Sequence, residues 1–140
     1  TMIKKPFNIL SIEHVGIAVE NLKGISNLFS DILGLEFKGS EEVKDQHVTT
    51  DIYNTGNGKV EFIKATTPES PISRFINKRG EGMHHIAFQV DNLQAALDYL
   101  RHQGVQLIDE IPRIGAEGFN IAFIHPKSTG GVLIELCEIN

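Results

Sequence analysis

The sequence predicts an α+β fold in which two tandem βαβββ modules pair into a curved mixed sheet around a metal site. Three observations predict it. The chain repeats itself, each copy opens on a strand bearing a histidine, and each closes on an apolar strand bearing one glutamate. The first copy reads Glu13-His14-Val15-Gly16-Ile17-Ala18-Val19-Glu20-Asn21-Leu22, and the second His84-His85-Ile86-Ala87-Phe88-Gln89-Val90-Asp91-Asn92-Leu93. His14 falls on His85, Val19 on Val90, Asn21 on Asn92 and Leu22 on Leu93. An internal repeat marks units that bury their apolar faces together.

Strict alternation over residues 12–19 marks the opening strand. Val15, Ile17 and Val19 face one way, and His14, Gly16 and Ala18 the other. In the second copy Ile86, Phe88 and Val90 oppose His85, Ala87 and Gln89. Both histidines therefore share a face with small residues, where a pocket has room to open. Leu22, Ile25, Leu28, Phe29 and Ile32 then recur at helical spacing, with Gly34 placed to end the helix. Leu93, Ala96, Leu97 and Leu100 repeat the pattern up to Gly104, with Asp91 and Gln94 spaced as a capping box.

Strands are expected at 35–42, 48–53 and 59–64, and in the second copy at 105–108, 120–124 and 132–138. Asn57-Gly58 and Gly130-Gly131 are turn signals. Module one spans about 11–66 and module two about 83–138, within a single domain of 1–140. The linker, about 67–82, holds Pro68, Pro71 and a short amphipathic helix over 72–76.

Bulk properties narrow the function. A length of 140 residues suits one domain, and 41% hydrophobic with 22% charged residues is ordinary for a globular protein. A net charge of -5 argues against a nucleic-acid partner. A single cysteine, Cys137, excludes an intrachain disulfide and paired-thiolate zinc sites, and reads as a small buried apolar residue. No apolar run reaches the length of a membrane span and no signal-peptide core is present, so the expected location is cytoplasmic, without membrane association. Thr1 ahead of Met2 is read as an expression remnant.

The closing strands carry the other half of the chemistry. Glu61 lies among Val60, Phe62 and Ile63, and Glu135 among Leu133, Ile134 and Leu136. A carboxylate within such a strand costs several kcal/mol if buried unpaired, so it needs a cation or an exposed face. His14, Glu61, His85 and Glu135 at repeat-related positions point to a divalent metal: Co, Ni, Mn, Fe or Zn. Four protein ligands on an octahedral ion leave two positions for substrate oxygens, the arrangement that stabilises an enolate. His84 points to the opposite strand face and is read as structural. His47, His102 and His125 have no repeat partners.

With two βαβββ units and this ligand pattern, the chain resembles the vicinal oxygen chelate superfamily. Within it the chain is similar to methylmalonyl-CoA epimerases along nearly its whole length. The likeness rests on the His14–Val19 strand, on Ser70-Pro71-Ile72 through Phe88, on Gly104-Val105-Gln106-Leu107-Ile108-Asp109, and on the run from His125-Pro126-Lys127-Ser128-Thr129-Gly130-Gly131 through Leu136. The last stretch is the most specific. The resemblance implies His14, His85 and Glu135 as metal ligands, with Glu61 at a fourth position that is Gln or Glu in such enzymes. A glutamate proposed as a base in some epimerases aligns with Thr50; Asp51 and Asp45 lie nearby, but Asp51 is on the opposite strand face.

The implied activity is exchange of 2R- and 2S-methylmalonyl-CoA by proton transfer at C2, through an enolate stabilised by the metal. Glu61 and Glu135 are the candidate acid–base residues. Lys127 and Ser128 are expected to meet the CoA phosphates of the acyl-CoA thioester substrate, with Lys78, Arg79 and Arg113 behind them. A homodimer is expected. The alternatives are glyoxalase I, which shares the ligand set, and a non-catalytic small-molecule-binding protein of the same fold.

Overall fold

The computed structural model describes residues 4–139; Thr1 and Met2 lie outside it. Contacts divide the chain into two compact units. One is His14–His84; the other joins the segment up to Glu13 with the chain from His85 onward.

The first unit takes its strands from β1 (Ile9–Ala18), β2 (Glu36–Val43), β3 (Val48–Asn54) and β4 (Lys59–Ala65). Their order is β2-β3-β4-β1, with β1 and β4 parallel and the other pairs antiparallel. One face of these strands buries Val19, Tyr53 and Phe62 beneath Leu22, Ile25 and Phe29. The covering segment differs from the expected helix. Winding begins only at Ile25, and Asn27–Ile32 is a π-helix whose closing bond runs from the Leu33 N–H to the Leu28 carbonyl, 2.8 Å. Gly24, at φ +85°, holds the chain outside the helical region just before that turn and leaves Leu22 in the approach.

The opposite face buries Ala18, Val48 and Ile63 against Ile72 of α1 (Pro71–Arg79), with Phe75 and Ile76 packed alongside. That helix starts where its sequence stops opposing it. Pro71 occupies the first turn, and the buried Ser70 hydroxyl accepts the Ile72 N–H at 3.1 Å.

The second unit contains β5 (Gly82–Val90), α2 (Leu93–His102), β6 (Arg113–Ile114), β7 (Asn120–Ile124) and β8 (Leu133–Glu138), with strand order β5-β8-β7-β6. Its core is Phe7, Val90, Leu93, Ala96, Leu97, Ala122, Ile124 and Leu136. Leu93 and Leu97 are 1% and 0% exposed, each stabilising the fold by roughly 1.5–3 kcal/mol through burial.

Two expectations fail here. Residues 105–108 form no strand; they make one bridge, Leu107 to Ile124, and β6 takes the third-strand role. The segment still bonds to β7, His125 N–H donating to the Gln106 carbonyl and Ile108 N–H to the Phe123 carbonyl, each at 2.9 Å. The Gln106 N–H donates to Ser128 Oγ at 2.9 Å, and Asp109 Oδ2 accepts the Phe123 N–H at 2.8 Å, which ends the ladder. The α2 cap is Asn92, which accepts the Ala95 N–H at 3.0 Å, rather than Asp91 with Gln94. Asp91 instead accepts the Asn8 N–H at 2.7 Å and the Asn8 amide at 2.8 Å, and these bonds hold its carboxyl below the usual range. Gln94 donates to Asp98.

Candidate metal and active site

In the first unit, register decides which side chains meet. Parallel pairing of β1 with β4 sets Gly16 beside Glu61, and antiparallel pairing of β3 with β4 sets Ile52 beside Glu61. Directly paired residues share a sheet face. Glu61 therefore stands on the His14 face, and its Oε2 lies 3.2 Å from His14 Nδ1. Both side chains are nearly sealed, at 5% and 7% exposure.

The second unit repeats the arrangement. Ala87 and Phe123 flank Glu135 in the sheet, and Glu135 Oε1 lies 3.4 Å from His85 Nε2. The Phe123 ring meets the His85 imidazole edge to face at 5.8 Å. Over the same ring lies the Arg113 guanidinium at 5.5 Å, which also pairs with Asp109 at 3.4 Å. One half offers an Nδ1 atom and the other an Nε2, each backed by a carboxylate.

These residues suit a divalent cation. In each unit the histidine and the glutamate are buried, and a buried carboxylate calls for positive charge beside it. Each pair joins an imidazole nitrogen to a carboxylate oxygen, donor types that borderline ions accept. A cation there would supply Lewis acidity.

The other expected residues lie as follows. Thr50 is buried in β3, and Asp51 is on the opposite face, with Ser40 Oγ donating to its carboxylate. Ser128 accepts from Gln106, while Lys127 is exposed in the turn Pro126–Ser128 and its N–H donates to His125 Nδ1 at 3.1 Å. Lys78 and Arg79 end α1, with Arg79 over the Phe75 ring at 5.9 Å. His84 meets Phe75 edge to face at 5.0 Å, and burial pushes its pKa down from 6.5 to about 4. Glu13, buried at 6% exposure, escaped the sequence reading. Its signal was available: in the repeat it aligns with His84, so both copies place a polar residue just ahead of the site histidine.

The model of the glyoxalase/bleomycin resistance protein/dioxygenase superfamily matches residues 13–123. The chain belongs to that superfamily. Its strand order and βαβββ units are those of the vicinal oxygen chelate fold. The chain is 45% identical over 127 residues to the uncharacterized protein YqjC of Bacillus subtilis (strain 168), covering 91% of each chain. It is 36% identical over 131 residues to the mitochondrial methylmalonyl-CoA epimerase of Homo sapiens, covering 93% of this chain and 74% of that one. A solved methylmalonyl-CoA epimerase in complex with methylmalonyl-CoA and NH4+ is similar with a TM-score of 0.87 and 30% identity, over 94% of this chain and 95% of the other.

Proposed function

We propose that the protein is a metal-dependent methylmalonyl-CoA epimerase that interconverts the 2R and 2S thioesters by proton transfer at C2. The observation that carries this reading is the pair of buried His–Glu contacts, His14 with Glu61 and His85 with Glu135, at repeat-related places. The similarity to epimerases supports the substrate class.

His14, Glu61, His85 and Glu135 would together hold one divalent ion, in a single domain of two modules. An ion held by these four residues would supply Lewis acidity to a developing enolate. The protein's own part is to fix the acyl group and move the proton. Inversion needs an acceptor on one face of C2 and a donor on the other. Glu135 serves one face; Glu61, at the matching place in the other module, is the first candidate for the second.

Arg113, laid over Phe123 on the face that carries Glu135, offers a guanidinium to an anionic group of the substrate. Lys127 offers an exposed ammonium to the nucleotide phosphates, with Ser128 bracing its turn through Gln106. No helix among the described residues is long and apolar enough to cross a membrane, and a cytoplasmic homodimer is part of this proposal.

The test is exchange of the α-proton of 2R-methylmalonyl-CoA in D₂O, followed by NMR, with metal-loaded and EDTA-treated protein. Metal-dependent deuterium uptake with formation of the 2S thioester is expected. Bound metal without exchange would reject the epimerase in favour of another enolate chemistry, such as isomerisation of a glutathione hemithioacetal.

A further inference from the structure

Thr50 stands where some epimerases carry a proposed base, and the register of the first unit sets a carboxylate one strand away. Glu41 of β2 is the direct partner of Thr50 in β3. Thr50 in turn pairs with Ile63, and Ile52, two residues on, pairs with Glu61. Direct partners share a face, so Glu41, Thr50, Ile52 and Glu61 all stand on the side of the sheet that bears His14. The other two acids near Thr50 do not. Asp51 is on the reverse face, engaged by Ser40, and Asp45 is exposed in the turn Lys44–Gln46.

Spacing favours a role across the substrate. Two interstrand steps and a two-residue offset put the Cα atoms of Glu41 and Glu61 roughly 12 Å apart. Two glutamate side chains reaching inward leave room between them for a small acyl group. Thr50 and Ile52, 3% and 4% exposed, lie between them on that face. Glu41 itself is half-buried. A carboxylate that binds a cation is a weaker base, since the positive charge favours its ionised form. Glu61, 3.2 Å from His14, belongs to the donor set; Glu41 stands outside it.

We propose that Glu41, rather than Glu61, is the proton-transfer base of the first module, restoring from β2 the carboxylate that Thr50 lacks in β3. This rests on the epimerase reading. A Glu41 oxygen takes the C2 proton: the C–H bond breaks, an O–H bond forms, and the electron pair spreads into the thioester carbonyl as an enolate. A proton returned to the other face of C2 from a second carboxyl group completes inversion. Both carboxyl groups then recover their starting protonation from solvent.

The experiment follows 2R- and 2S-methylmalonyl-CoA separately in D₂O with metal-loaded wild type, Glu41→Gln, and Glu41→Gln combined with Thr50→Glu. Glu41→Gln should keep the wild-type metal content and melting temperature yet interconvert the thioesters at least ~100-fold more slowly. It should still exchange the α-proton of one stereoisomer without inverting it. Adding Thr50→Glu should restore interconversion tenfold or more, because the carboxylate returns to the same face. Wild-type interconversion by Glu41→Gln overturns the proposal. So does loss of exchange with both stereoisomers, or no rescue in a double variant of native melting temperature. A wild type that exchanges neither proton rejects the epimerase itself and takes this proposal with it.

Discussion

The two units carry the same buried His–Glu pair and different residues on the strands beside it. His14 meets Glu61 at 3.2 Å in one, and His85 meets Glu135 at 3.4 Å in the other. An offset of 71 residues relates His14 to His85, Thr50 to Ile121 and Ile52 to Phe123. Ile52 and Phe123 occupy the same register place, each paired with the site glutamate. On the outer strand, however, Glu41 pairs with Thr50 in the first unit, whereas Arg113 pairs with Ile121 in the second. An acid and a cation thus hold matching places. The His–Glu pairs are alike, and the outer strands beside them differ: a carboxylate stands beside one and a guanidinium beside the other.

The largest expected effect tests the shared part. His14→Ala and His85→Ala should each lower kcat/KM by about 1,000-fold or more, equivalent to about 4 kcal/mol, and each should lose bound metal by elemental analysis. Equal losses mean that both pairs hold one ion; normal metal content in either variant would break the equivalence.

A smaller effect separates residues at the matched places 13 and 84. Burial lowers the His84 pKa in the folded state, from 6.5 to about 4. The unfolded chain therefore binds the proton more readily. Stability from this group is fully present above about pH 6.5 and is lost as pH falls toward 4. Between pH 7 and pH 5 the cost is roughly 2 kcal/mol. Urea titrations at the two pH values should show that slope in wild type and a shallower one in His84→Phe. An unchanged slope would assign the acid sensitivity elsewhere.

A third contrast concerns the outer strands, and the smallest single effect is there. Arg113→Ala should raise KM for the CoA thioester about tenfold, near 1.4 kcal/mol, with kcat little changed, because it removes binding that ground and transition states share. Glu41→Gln should do the reverse, lowering kcat with KM preserved. Steady-state kinetics on the two variants sharpen the contrast between the halves, and a common pattern would erase it.

Much of the architecture was legible because it is local. Alternation in 12–19 and 84–90 follows from the two-residue strand period, and the βαβββ order follows from the change of period between strands and helices. Misreadings came where backbone groups found unforeseen partners. Ser128 and Asp109 took the N–H groups of Gln106 and Phe123, beside Leu107 and Ile124, whose pairing stayed a single bridge. Gly24 delayed a helix whose apolar spacing began at Leu22. Ser70 capped α1 without a distinctive spacing to announce it.

For the candidate site the division is sharper. The sequence by itself determined which residues were worth watching, since a strand histidine and a strand glutamate repeated at matching places are visible along one dimension. It also determined which face each occupied within its own strand. Only the tertiary structure decided what lies beside them. Glu41 and Thr50 are nine residues apart in the chain, and Arg113 and Ile121 eight, yet each pair meets only because a particular register was chosen. A one-residue slip would turn every side chain of the slipped strand to the other face. That choice is made by the apolar faces packing together, a collective property that no single strand carries.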